Sequence, residues 1–194
     1  MFASFFIKTH IYMSLNEKII EVCSIFEEVD NKIINLKNKY KINCIESCGE
    51  CCMKDNIEAT VLEFLPAANF LLQNNNEDII DHYYQQTEKL KYCIFFNPLN
   101  NNGKCNIYPH RGLICRLFGF AGRINKNNEL EAITCAKLKY IFPKYNEDVP
   151  IIHNYYLRLS TIDPQLFLPF LPINKAIQKS IEIVSLYYRF KKTG

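Results

Sequence analysis

The stretch SLNEKIIEVCSIFEEVDNKIINLKNKY, residues 14–40, decides the fold class. Its residues Leu15, Ile19, Val22, Phe26, Val29, Ile33, Leu36 and Tyr40 recur in alternating steps of four and three. That spacing draws one apolar stripe down a helix of about seven turns. Ser14 and Glu17 supply the S-x-x-E capping box that starts such a helix. The stripe lasts less than four heptads, so it reads as a face packed within the molecule rather than as a dimer seam.

A similar stripe, Ile177, Ile181, Val184 and Tyr188, predicts a helix from near Asn174 into Arg189, Lys191 and Lys192, charges that suit a helix C-terminus. Thr60 and Glu63 form a second capping box ahead of Phe64, Leu65, Phe70, Leu71 and Leu72, with Pro66 expected to kink this helix or split off its first turn. Beyond a polar break at 74–76, residues 77–92 read as a third helix between these two. The expected class is therefore mainly α, a compact helical domain over 14–194 with one cysteine-rich insert.

Residues 93–115 lack a helical period, and Asn97-Pro98 with Gly103 after three asparagines predicts a loop or short hairpin. A turn at 125–128 separates 116–124 from 130–135, which pair as a hairpin in this reading. Pro143, Pro150, Pro164, Pro169 and Pro172 keep the chain from about 143 to 172 in short pieces. Leu166 to Leu171, LFLPFL, is the most hydrophobic short run and is expected to bury against the first helix.

The insert carries the chemistry. Cys44, Cys48, Cys51 and Cys52 lie in the order C-x3-C-x2-C-C, and Cys93, Cys105, Cys115 and Cys135 come after them. Thiolates are the ligands of zinc, iron and iron–sulfur clusters, and four placed within nine residues converge on one centre at little loop-closure cost. Cys23 is left over on the apolar side of the first helix and reads as a small core residue.

With 194 residues and a net charge of +3 from scattered charges, nothing resembles the basic stripe of a nucleic-acid binder. Residues 1–13 are apolar, but Lys8 and His10 interrupt the run and no small-residue cleavage site lies behind it, so they read as an extension or a mis-assigned start rather than a targeting peptide or membrane span. The expected location is cytoplasmic, where thiols stay reduced and dense cysteines are more often metal ligands than disulfides.

The cluster at 44–52, the downstream Cys93-Ile-Phe-Phe, the segment Gly103-Lys-Cys105-Asn-Ile-Tyr108-Pro-His-Arg111-Gly-Leu-Ile-Cys115-Arg116, and the late Cys135 together resemble the YkgJ-type cysteine-cluster family of zinc- or iron-chelating domains. Thr60 and Glu63 fall where that family starts a helix after its first cluster. The resemblance covers about residues 44–135 and implies metal or cluster binding. That family usually places proline after the arginine matching Arg111, and Gly112 stands there, which should loosen the turn without removing a ligand. Flagellin lysine N-methylases carry a similar cysteine region, but this chain has no glycine-rich methyl-donor loop after a strand.

Eight thiolates allow two four-thiolate zinc sites, or one iron–sulfur cluster such as 4Fe–4S with cysteines to spare. Adjacent Cys51 and Cys52 should point apart, so that they serve different sites or only one ligates. A provisional first site takes Cys44, Cys48, Cys51 and Cys115. Cys44, Cys48 and Cys51 also match the spacing of radical S-adenosylmethionine enzymes, but those resemble partial α/β barrels. Arg111 and Arg116 bracket Cys115 and are expected to offset the negative charge of a thiolate site. Tyr108 is read as either a donor to a ligand or a packing residue, and His110 as an outside candidate ligand. Two classes of function remain: a binding module with a closed metal centre, or an iron–sulfur-dependent redox or protein-modifying enzyme. The first is preferred because no general base, oriented nucleophile or cofactor loop can be recognised.

Overall fold

In a computed structural model, described over residues 13–44, 48–74, 90–99, 103–139 and 148–192, the leading stripe forms helix α1, Leu15–Tyr40. The Glu17 amide donates to the Ser14 hydroxyl at 3.3 Å and the Ser14 amide to the Glu17 carboxylate at 2.6 Å, so both bonds of the capping box are made. Ile19, Val22, Phe26, Val29, Ile33 and Leu36 are buried as their spacing requires, Ile25 joins them, and Leu15 and Tyr40 are half-buried at the ends. Lys41 closes the helix in the left-handed conformation (φ 53°) and turns the chain toward Cys44.

The second capping box also closes: the Thr60 amide donates to Glu63 at 2.8 Å and the Glu63 amide to the Thr60 hydroxyl at 3.2 Å. Its first turn, Leu62–Phe64, is a separate 3-10 turn, and α2, Leu65–Gln73, starts afresh with Pro66 in its opening turn. This is the split that proline in a first turn favours. The helix expected over 77–92 lies outside the described residues except for 90–92, which are irregular.

The cysteine-rich stretch holds two antiparallel hairpins, β2 (Phe96–Asn97) with β3 (Lys104–Cys105), and β4 (Ala121–Ile124) with β5 (Leu130–Ile133). Asn125 builds the second turn by accepting from the amides of Asn127 and Glu129, with Asn128 at φ 62°. Between the hairpins lies the short helix α3, Leu113–Leu117, and after them α4, Ala136–Lys139.

The proline-rich region is more helical than its prolines suggest. Pro150 precedes and Pro164 follows α5, Ile152–Ile162, leaving its interior free to bury Tyr155 and Leu159 one turn apart. Asp163 caps α6, Pro164–Phe167, through the amides of Gln165 and Leu166. The LFLPFL run does not bury on α1. Phe167 and Phe170 instead pack with Tyr156 of α5, and Leu168 stays 58% exposed.

The chain ends in α7, Ile173–Lys192, with Ile177, Ile181 and Val184 buried. It packs along α2, while α1 lies against α2, α3 and α5. A third ladder, β1 (Glu58–Ala59) with β6 (Leu171–Pro172), ties the segment after the first cysteines to the start of α7. One core cluster runs from Ile19 to Val184. Among the described residues no helix is long and apolar enough to cross a membrane.

Candidate metal centre

The cysteine-bearing pieces are brought together by backbone bonds and one aromatic ring. A turn at 49–53 is closed by the Cys52 amide donating to the Gly49 carbonyl at 2.8 Å, and the Cys93 amide donates to the Cys52 carbonyl at 2.8 Å. Cys105 stands across β2–β3 from Phe96. The Phe96 ring fits between two glycines: a Cβ on Gly49 would meet its Cε2 at 2.1 Å, and one on Gly103 at 2.2 Å. Gly103 is also at φ 86°, open to glycine at little cost. The first cluster is thereby docked on the hairpin that carries Cys105.

Cys115 comes from α3, and Glu63 sets its position. The Ile114 amide donates to Glu63 Oε2 at 2.8 Å, while Oε1 of the same carboxylate accepts from Thr60 and, at 3.4 Å, from the Tyr156 hydroxyl. Glu63 is fully buried, so burial raises its pKa while these donors pull it back. Gly112 does not loosen this turn. It sits at φ −63° and Arg111 is extended, the conformations that a proline and its preceding residue adopt.

Cys44, Cys48, Cys51, Cys52, Cys93, Cys105 and Cys115 line one cavity of about 80 Å³. Phe64, Phe95, Phe118 and Phe120 supply its aromatic wall. Cys135 does not line the cavity but lies near enough to Cys44 to raise its pKa. All nine cysteines are free thiols, and Cys23 stays half-buried on α1, away from the cavity. Among the described residues no three His, Cys, Asp or Glu side chains stand in a metal-holding arrangement. Seven thiols thus face one space, and each sulfur swings on a single side-chain torsion.

Their acidities arise from burial and from each other. Burial pushes Cys93 up to about 12 and Cys115 well above the usual thiol value. Cys52 is raised by its contacts with Cys105 and Cys51, to which its S–H is the donor. The same contacts lower Cys105, and lower Cys51 to about 7 against the cost of burial, with Arg111 contributing to both. Adjacent Cys51 and Cys52 therefore face one another across the same cavity instead of pointing apart, because the tight 49–53 turn brings neighbouring side chains to one side.

Arg111 and Arg116 both line this cavity and both face Asp30. Arg116, 5% exposed, lies over the Phe26 ring, pairs with Asp30 of α1 and donates to the Pro109 carbonyl at 2.6 Å. Arg111 stands 3.6 Å from the same Asp30 and stacks on Tyr108 at 4.0 Å. Tyr108 lines the cavity, yet it is 51% exposed and acts chiefly as the platform for Arg111. His110 stacks on Phe70 at 3.9 Å and does not line the cavity. Asp30, Glu63, Lys37 on the cavity wall and Lys137, whose Nζ is 3.7 Å from Cys48 Sγ, escaped the sequence reading as parts of the site. Glu63 reads there only as half of a capping box, and Asp30 only as an acid beside the apolar stripe between Phe26 and Ile33.

The donor set suits a soft metal. A further sign is Arg116 Nε, the one buried side-chain nitrogen or oxygen without a hydrogen-bond partner among the described residues. A buried donor left unpaired is costly, and a thiolate or sulfide in the cavity would be its acceptor. Residues 43–136 match the model of the CxxCxxCC family, described as "Putative zinc- or iron-chelating domain". No curated protein and no solved structure matches the chain. The matched segment holds all eight clustered cysteines, so the similarity to the CxxCxxCC family rests on the part of the chain that builds this cavity.

Proposed function

We propose that this protein binds zinc or iron, the iron as a 4Fe–4S cluster or as single ions, through Cys44, Cys48, Cys51, Cys52, Cys93, Cys105, Cys115 and Cys135. What carries this is the convergence of seven of these thiols on one aromatic-walled cavity, drawn from three separate chain segments. When bound, the metal supplies a closed thiolate centre or, as a cluster, a one-electron carrier. Arg111 and Arg116 would lower the cost of gathering thiolates there, and the unpartnered Arg116 Nε would donate to one of them. Asp30 fixes both guanidinium groups from α1. Glu63 holds α3 so that Cys115 faces the cavity. Phe64, Phe95, Phe118 and Phe120 keep solvent away. Nine reduced thiols fit a cytoplasmic location.

Purification without oxygen, then elemental analysis for zinc, iron and acid-labile sulfide with an absorption spectrum, tests this proposal. A colourless protein with stoichiometric zinc, or a brown one with matched iron and sulfide, is the expected outcome. Protein that holds neither, even after anaerobic incubation with either metal, would refute it.

A further inference from the structure

The eight clustered cysteines stand in two different settings. Cys52, Cys93, Cys105 and Cys115 are tied into the frame: Cys93 to Cys52 through the backbone, Cys105 in a strand, and Cys115 in the helix held by buried Glu63. The wall beside them is Phe64 and Phe95, each 1% exposed. Cys93 is buried and Cys44 exposed, the other clustered cysteines are half-buried, and Cys44, Cys48 and Cys135 lie outside every described helix and strand. Lys137 closes this side: its Nζ is 2.9 Å from Glu50 and 3.7 Å from Cys48 Sγ, two residues along the chain from Cys135. Cys51, beside Cys52 in the 49–53 turn, lines the cavity between the two groups and is the fourth thiol left to the outer one.

Resting on the chelation proposed above, we infer that the eight thiolates form two four-thiolate centres: a closed inner one of Cys52, Cys93, Cys105 and Cys115, and an exchangeable outer one of Cys44, Cys48, Cys51 and Cys135. This division replaces the pairing of Cys115 with Cys44 and Cys48 suggested by spacing alone. At fixed pH, a four-thiolate centre loses its metal faster to a chelator that can reach it than to one that the surrounding apolar shell keeps out. Exposed Cys44 admits such a chelator to the outer set, whereas buried Cys93 and the aromatic wall hinder its approach to the inner set. The outer centre is thus the port through which metal enters or leaves, with the Lys137–Glu50 pair across its edge.

The test uses the full chain loaded with zinc without oxygen, then mixed with an excess of a chelator that changes colour on binding zinc. The wild-type protein is expected to hold two zinc ions and to release them in two phases of equal amplitude. Cys135→Ser should abolish the fast phase and leave one ion. Lys137→Gln should speed the fast phase alone. Cys105→Ser should abolish the slow phase. Should the Cys105→Ser variant fail to fold, as circular dichroism would show, the Cys135→Ser result decides. Two ions released in a single phase, or both lost from a folded Cys135→Ser protein, would overturn the division and leave chelation standing. Wild-type protein that takes up no zinc or iron would overturn both.

Discussion

The helical frame and the cysteine-bearing segment are held by different forces. In α1, α2 and α7, burial does the work: Val22, Val29, Leu65, Ala176 and Val184 are each fully shielded from solvent, and apolar burial stabilises at about 25 cal/mol per Å². In the cysteine-bearing stretches 48–53 and 93–117 the regular pieces described are two-residue strands, a 3-10 turn and a five-residue helix. They are fixed by a few backbone bonds, a phenyl ring between two glycines and the Glu63 carboxylate. The frame rests on its own apolar surface, whereas the cysteine segment, on the chelation proposed above, would draw its order from a metal in its cavity.

Metal removal is the strongest way to break this contrast. A structural zinc contributes on the order of 10–16 kcal/mol to the folding of a small domain that depends on it. Anaerobic chelation should therefore strip hydrogen-exchange protection from the amides of Cys52, Cys93 and Asn106, while those within α1 and α7 keep theirs. Loss of protection in both regions together would show that frame and segment are one cooperative unit.

Leu65→Ala attacks the frame instead. The side chain is fully buried, so truncation should cost about 2–5 kcal/mol. Thermal unfolding monitored by circular dichroism should show the drop with and without metal. A drop confined to the metal-bound protein would place Leu65 in service of the segment, against a frame that stands on its own burial.

Gly49→Ala reverses the direction. Its new methyl would lie 2.1 Å from Phe96, an overpacking worth about 1–3 kcal/mol. The expected outcome is faster metal loss to a chelator with helix content unchanged. If helix melting and metal release shift in parallel, the ring is a joint of the whole fold and not of the cysteine segment.

The same contrast explains what can be read from the chain alone. Helices α1 and α7 are legible because burial writes a period into sequence, and Ser14 with Glu17 marks a start. The hairpin at 121–133 is legible from its asparagine turn. Helix α5 is hidden because its flanking prolines read as breaks, although Pro150 and Pro164 stand outside it. The β1–β6 ladder joins residues more than a hundred positions apart, so no local signal announces it. The cysteines declare themselves by residue type, but their grouping does not. Glu63 and Asp30, 51 and 86 positions from the residues they bond, hold the helix of Cys115 at the cavity. Those two acids read locally as a cap and a stripe edge, and only packing reveals that both act on the Cys115–Arg116 pair.

The smallest effect tests whether the frame has its own acid response. Asp163 caps α6 and pairs with Lys18 of α1 at 2.6 Å, each side chain 14% exposed. Burial pushes its carboxyl up, but the Lys18 ammonium and the amides of Leu166 and Gln165 outweigh burial and hold the pKa below the usual carboxylate range. The unfolded chain then binds the proton more readily than the folded one. Stability from this pair is therefore fully present above the unfolded pKa and disappears as pH falls through the lowered folded value. Asp163→Asn keeps the cap and removes the ion pair, so metal-free variant protein should be less stable than wild type by about 1 kcal/mol at neutral pH. Thermal melts in acid should show the gap closing, because the protonated wild type has lost the same attraction. A gap that persists unchanged at the lowest pH would mean that the charge of Asp163 is not what ties α6 to α1. Thiolate ligands give up their metal to protons well above that range. An acid titration of loaded protein should therefore pass through two separate events, release from the cysteine segment first and weakening of the frame second.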